Sequence, residues 1–173
     1  MMHYSTIDSP LGLLLIAADP TGLRLVGFQQ DNKPPAYGPA WVEDHRPLRV
    51  AIQQLEAYFA GRLQHFTLHL APVGTPFQQS VWRAVQRIPY GKTMSYGALA
   101  HQLGNPQAAR AVGAANGRNP LAIVIPCHRV VGSTGKLRGY RGGIDLKKAL
   151  LEFEHQHASD DHLPQPFSGT RSR

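Results

Sequence analysis

The chain has one cysteine in 173 residues, Cys127, and its surroundings are those of a nucleophile. It follows Pro126 at the end of an apolar run, Leu121 to Ile125, where a chain leaves a core and turns. His128 and Arg129 come next. Turn amides and nearby positive charge both favour thiolate over thiol, which sets this cysteine apart from an inert small apolar residue. Adjacent side chains do not usually face each other, so His128 is expected to reach the sulfur through one water. A histidine base needs an orienting partner, typically a carboxylate. Between Ala71 and Glu154 the candidates are Asp145, Glu152 and Glu154, and spacing does not choose among them.

A lone cysteine forms neither an intramolecular disulfide nor a multi-thiolate zinc site, and it fits a reducing compartment, so the expected location is cytoplasmic. No apolar stretch approaches the roughly 18 residues of a membrane span. The run Leu13 to Ala18 is too short for a signal peptide and lacks a basic segment before it; it reads as a buried strand.

Two dissimilar stretches must position the cysteine. The first reads as three antiparallel strands, His3 to Asp8, Leu13 to Ala18 and Leu23 to Phe28, with turn residues at Ser9 to Gly12 and Asp19 to Gly22. An amphipathic helix follows over Pro47 to Ala60, and Phe66 to Leu70 reads as one more strand. The second stretch is helical. Thr75 caps a helix with Pro76 at its first position. Ser95 caps a short helix closed by Gly104, and Asn105-Pro106 starts another that runs to about Ala115. Two short helices joined by a tight Gly turn read as helix-turn-helix. Leu121 to Ile125 is expected to be a buried strand or extended piece, and a Gly-rich loop, Gly132 to Gly143, precedes a last helix from about Asp145 to Glu154. The expected units are 1–70, 75–155 and a disordered tail, 156–173.

The net charge of +7 sits in one place. Met1 to Leu70 has five Lys/Arg against six Asp/Glu, whereas Ala71 to Glu154 has eleven against three. A basic unit beside a neutral one is the footprint of a polyanionic partner such as nucleic acid.

Ile125-Pro126-Cys127-His128-Arg129-Val130 resembles the active-site signature of the O-6-alkylguanine–DNA alkyltransferases, also called methylated-DNA–protein-cysteine methyltransferases. Thr75-Pro76-Phe77-Gln78, Ile88-Pro89-Tyr90-Gly91, Ser95-Tyr96, Ala109-Arg110-Ala111-Val112-Gly113, Asn119-Pro120 and Gly139-Tyr140 fall in the same family's order and spacing. The resemblance is strong over Thr75 to Glu154 and loose over Met1 to Leu70. It implies an α/β N-terminal domain, a small antiparallel sheet plus helix of ribonuclease-H-like type. A mostly α C-terminal domain with a winged-helix-like helix-turn-helix would follow.

The resemblance also implies roles. Cys127 would accept an alkyl group, methyl above all, from O-6 of guanine, with O-4 of thymine as a second substrate, and would be consumed. His128 would be the water-bridged base, oriented by Glu154, which selects among the three carboxylates. Asn119 would brace the turn bearing the cysteine. Tyr96 would donate to N3 of the departing guanine, and the carbonyls of Cys127 and Val130 would accept from its amino group. Tyr140 would wall the pocket, with the Arg141 amide near O-6. Arg110 would enter the helix from the minor groove in place of the flipped nucleotide, with Ala109 and Ala111 keeping its helix thin and Ser95 and Arg118 beside the DNA. The implied partner is double-stranded DNA carrying O-6-alkylguanine, with no cofactor and no membrane. A monomer is expected, with clustering on DNA as a further possibility.

The chain departs from the family in two respects. Some members bind a structural zinc through two cysteines and two histidines in the N-terminal domain; with no cysteine before Cys127, that site is absent and His3, His45, His65 and His69 read as strand or surface residues. Arg138 and Arg141 load the loop beside the pocket with charge, which bears on access for bulky alkyl groups. Two other readings remain: a module that binds alkylated guanine without repairing it, and a thiol hydrolase using Cys127 and His128. The first has no use for an acceptor cysteine. The second lacks a glycine beside the nucleophile and leaves the helix-turn-helix unexplained.

Overall fold

Apolar-rich segments separated by Gly/Pro turns build a meander from the first thirty residues. A computed structural model describes residues 1–29, 38–140 and 142–158. Strands β1 (His3–Ile7), β2 (Leu14–Asp19) and β3 (Gly22–Phe28) pair antiparallel in sequence order. A two-residue strand, β4 (Val42–Glu43), adds to β1 in parallel, so the sheet is mixed rather than purely antiparallel, with order β3-β2-β1-β4. Leu14, Leu15, Ile16 and Ala17 of β2 are all buried because both faces are covered. Leu14 and Ile16 join the main core; Leu15 and Ala17 pack with Tyr4 and Trp41 on the other face. Helix α1 (Arg49–Phe59), entered through a 3-10 turn at Arg46–Leu48, buries Ala51, Leu55 and Tyr58.

Two expected strands do not form. Phe66, Leu68 and Leu70 do turn toward the core, but only Leu70 makes a bridge, to Leu23 at the start of β3. In the run Leu121 to Ile125, only Leu121 bridges, to Val26 of the same strand. Beyond it the chain coils: the Val124 amide donates to the Ala122 carbonyl (2.8 Å) and the Ile125 amide to the Leu121 carbonyl (2.9 Å). A continuous apolar run reports burial, and a tight coil buries it as fully as a strand. The free edge of β3 is thereby covered by both halves of the chain, which protects it from pairing elsewhere.

The second half is helical. Helix α2 (Pro76–Val85) begins with a capping box in which Thr75 and Gln78 satisfy each other's amides. It buries Val81, Trp82 and Val85, and Trp82 Nε1 donates to the Ala115 carbonyl at 2.9 Å. Strand β5 (Met94–Ser95) leads into α3 (Tyr96–Gln102), and a 3-10 turn at Pro106–Ala108 leads into α4 (Ala109–Gly117). Helices α3 and α4, with Gly104 in the left-handed region between them (φ 77°), form the expected helix-turn-helix. Strand β6 (Val130–Val131) pairs in parallel with β5 just after the cysteine. Helix α5 (Ile144–His157) runs one turn beyond Glu154 because the N-terminal half holds its end: Gln64 Nε2 donates to the His157 carbonyl at 3.2 Å. Residues 159–173, most of the expected tail, lie outside the described residues.

Gly22 and Gly12 both close β-turns at positive φ (133° and 120°), but their surroundings differ. A Cβ on Gly22 would lie 2.7 Å from the His69 carbonyl oxygen, whereas one on Gly12 would meet nothing within 4 Å. Gly22→Ala is therefore expected to cost about 2–3 kcal/mol and Gly12→Ala about 1 kcal/mol. Urea unfolding of the two variants measures this, and equal losses would contradict the close approach of residues 69–71 to β3.

Candidate functional site

The cysteine lies on a backbone that is bent before it and gripped from two sides. Ile123 sits in the left-handed region (φ 70°), which is costly for a β-branched residue and persists only where the surroundings impose it. Asn119 imposes much of it. Its Nδ2 donates to the Ile125 carbonyl at 2.8 Å, and its Oδ1 accepts from the Leu121 amide at 2.9 Å. Cys127 then opens a 3-10 turn, Cys127–Arg129. The Cys127 carbonyl accepts from Asn116 Nδ2 at 3.1 Å and from the Val130 amide. Asn116 is buried on α4 and was not among the residues that sequence reasoning singled out; its one signal was a polar residue on the inner face of an otherwise Ala/Gly/Val helix.

The side chain of Cys127 is only 6% exposed, and burial pushes its thiol up. That effect outweighs the lowering by Asn119, by the Lys147 ammonium, by its own backbone and by Tyr140. The turn amides and positive charge that favour thiolate are thus outweighed by burial, and the sulfur holds its proton until a base removes it.

The base is beside it in sequence and is already oriented. His128 is fully buried, and its Nε2 lies 2.7 Å from Glu154 Oε1. Glu154 is a carboxylate: burial pushes it up, but hydrogen bonds from His128 and Arg129 prevail and hold it well below the usual range. A carboxylate can only accept, so Nε2 carries the proton and Nδ1 the lone pair. Nδ1 is buried and has no hydrogen-bond partner among the described residues. Burial lowers the imidazole below its ordinary value, against the pull of Glu154. The neutral form therefore prevails, with one nitrogen free to take a proton.

Glu154 gathers further donors. Arg129 gives it Nε at 2.8 Å and Nη2 at 2.9 Å, a bidentate pair, while Arg129 Nη1 donates to the Ile88 carbonyl at 2.6 Å. Tyr58 Oη donates at 2.8 Å and the Gly91 amide at 3.2 Å. The block Ile88 to Gly91 thus supplies one acceptor and one donor to the network.

A second cluster flanks the sulfur. The Tyr140 hydroxyl is buried, and burial followed by its contact with Cys127 raises it well above its ordinary value. Tyr96, at the start of α3, donates from its hydroxyl to the Arg138 carbonyl at 3.2 Å. Lys147 Nζ donates to the same hydroxyl at 3.2 Å and to the same carbonyl at 2.9 Å. Lys147 is fully buried on α5, and burial lowers its ammonium. As one of two adjacent lysines on a helix it carried no distinguishing signal in the sequence.

The outward elements are α3 and α4. Arg110, Ala111 and Arg118 are exposed and Ala109 is half-buried, while Val112, Ala115 and Asn116 face inward. Ser95 serves as the cap of α3, its Oγ accepting from the Ala98 amide at 3.0 Å, so its hydroxyl already has a structural task. Val130 is buried in β6, and Arg141 lies outside the described residues. Cys127, His128, Glu154, Asn119, Tyr96 and Tyr140 come together, whereas Arg110 and Arg118 stand on the surface of the adjoining helix pair.

A family model for the ribonuclease-like domain of 6-O-methylguanine DNA methyltransferase matches residues 2–72, and one for its DNA-binding domain matches residues 76–156. The methylated-DNA–protein-cysteine methyltransferase of Methanosarcina acetivorans is 52% identical over 153 residues, covering 88% of this chain and 98% of its own. The protein of that name from Mycolicibacterium paratuberculosis is 53% identical over 161 residues, covering 91% and 95%. A Mycobacterium tuberculosis relative solved in complex with DNA is 49% identical, with a TM-score of 0.82 over 92% of this chain and 96% of that one. The bent, braced cysteine turn and its buried histidine–carboxylate pair therefore lie in a chain matched over both its parts: it belongs to the 6-O-methylguanine DNA methyltransferase family.

Proposed function

We propose that this protein repairs DNA by direct reversal, moving an alkyl group from O-6 of guanine, and from O-4 of thymine, onto Cys127. The observation that carries this reading is the state of His128: Nε2 is held by Glu154, and the buried Nδ1 is left free by the described residues. A protonated thiol beside a neutral base with one free nitrogen is arranged for deprotonation on demand. His128 takes the thiol proton through a bridging water, and the sulfur attacks the alkyl carbon. The S–C bond forms as the O–C bond breaks, and guanine leaves as the neutral base once a proton reaches it from the Tyr96 side. Lys147 beside the Tyr96 hydroxyl favours that donation. The product is a thioether, and no group in the chain returns it to a thiol, so each molecule acts once.

The target atom is buried in the base stack, so the nucleotide must be flipped out, at a cost of a few kcal/mol. Arg110 fills the vacated space from α4, whose small exposed residues, Ala111 among them, allow close approach. Ser95, through its backbone, and Arg118 lie along the DNA. Val130, through its backbone, and Tyr140 line the base pocket. The partner is duplex DNA carrying O-6-alkylguanine, bound by a monomer that can cluster along it. The functional units are 1–70 and 75–155, followed by a tail. No helix among the described residues is long and apolar enough to cross a membrane, and a lone reactive thiol fits the cytoplasm.

Incubation with an O-6-methylguanine duplex is expected to add about 14 Da once per chain, at Cys127, and nothing to Cys127→Ser. Intact-mass analysis reads this; binding without mass gain, or repeated turnover, would sink the proposal. Arg110→Ala is expected to slow repair in duplex DNA about tenfold or more while sparing the free alkylated base. Equal losses on both substrates would remove the finger role from Arg110. For Glu154→Gln, loss of the charge that supports the imidazolium should slow transfer about 100-fold. In the unaltered protein, activity should fall with decreasing pH only below the ordinary histidine range, because the neutral base survives there. A rate–pH profile tests both.

A further inference from the structure

Of the groups on Glu154, Tyr58 alone comes from the N-terminal half, from α1, ninety-six residues away in sequence. It is fully buried, and its ring is held among Phe59, Phe66, Tyr90 and Phe153 with centroids 5.2 to 6.0 Å apart. Its hydroxyl bonds Oε1, the same oxygen that receives His128 Nε2 and Arg129 Nη2. We infer that Tyr58 is a positioning residue for alkyl transfer, holding the Glu154 carboxylate on His128 and tempering its pull on the imidazole proton, so that the N-terminal half completes the relay. The inference rests on the transfer reading above.

The physical argument concerns competition for one oxygen. Each donor on Oε1 draws off negative charge, and what remains determines how strongly Glu154 stabilises a protonated His128. Tyr58 is a permanent donor, because burial, and then Glu154, push its hydroxyl far above its ordinary value. The other charged and titratable groups around the pair are Arg129 on the cysteine turn, Lys147 on α5, which acts on His128, Tyr90, pushed up to about 12 mainly by burial, and Tyr140, raised mainly by burial and also by Glu154. Removing the Tyr58 hydroxyl concentrates the carboxylate's charge on His128 and makes the imidazole more basic. The base must be neutral to act, so its acid limb then moves to higher pH.

The test is the rate of methyl transfer from an O-6-methylguanine duplex to the full chain as a function of pH, read by intact mass, together with an NMR titration of His128. Tyr58→Phe is expected to raise both midpoints by about half a pH unit or more. A site-specific 3,5-difluorotyrosine at position 58, a stronger donor of nearly the same shape, should lower both. In a Glu154→Gln background the Tyr58→Phe shift should vanish, since the two act as one unit. Normal alkylation with unshifted midpoints, whatever happens to the plateau rate or to stability, would overturn the role of Tyr58 alone. No alkylation of the unaltered protein at any pH would overturn the transfer reading and this inference with it.

Discussion

The structure is organised around one buried carboxylate. Glu154 is 1% exposed, and an uncompensated charge there would cost several kcal/mol. Tyr58, Gly91, His128 and Arg129 together supply five hydrogen bonds to its two oxygens. Those donors come from α1, from the turn after α2 and from the cysteine turn, so satisfying one charge fixes four elements relative to one another. Arg129 brings the compensating charge and is anchored in turn by the Ile88 carbonyl. Such a pair is weak grounds for added stability but strong grounds for a unique arrangement, since removing any partner leaves a buried group unpaired.

The same network explains how a reactive residue stays quiet. Burial keeps the thiol protonated and the imidazole neutral, so neither is activated at rest. Their geometry is set beforehand by Asn119 and Asn116, which hold the carbonyls on either side of the bend, and by the strain accepted at Ile123. A protein that spends its nucleophile once has reason to keep it from other electrophiles, and low thiolate content at rest does that.

The helix pair α3 and α4 is constructed differently. Helix α4 carries small side chains outward, with Arg110 as the long exception, while α3 also exposes His101 and Gln102; the pair binds inward through Leu99, Val112 and Ala115. The link between this pair and the sulfur is direct. Tyr96 opens α3 and shares its hydroxyl with Lys147 and the Arg138 carbonyl, and Asn116 on α4 holds the Cys127 carbonyl. The placement of α3 and α4 and the geometry of the pocket are therefore set by the same few side chains.

The sequence by itself determined the meander, the cap at Thr75, the helix-turn-helix and the chemistry of Cys127, because these depend on local signals: apolar segments, caps, turn residues and a signature of contiguous blocks. The residues Phe66 to Leu70 and Leu121 to Ile125 were read as strands because apolar pattern reports burial and not backbone shape; which edge a segment reaches is a tertiary matter. Tyr58 and Lys147 were silent for the same reason, and Asn116 nearly so, each an ordinary member of a helix until packing gave it a partner. The protonation of Cys127 went the other way. Local charges argued for thiolate, and enclosure by the rest of the fold reversed the balance. Spacing left three carboxylates open and family likeness favoured Glu154, but only the tertiary structure gave that residue a buried position on His128, since desolvation and long-range contacts have no local signature.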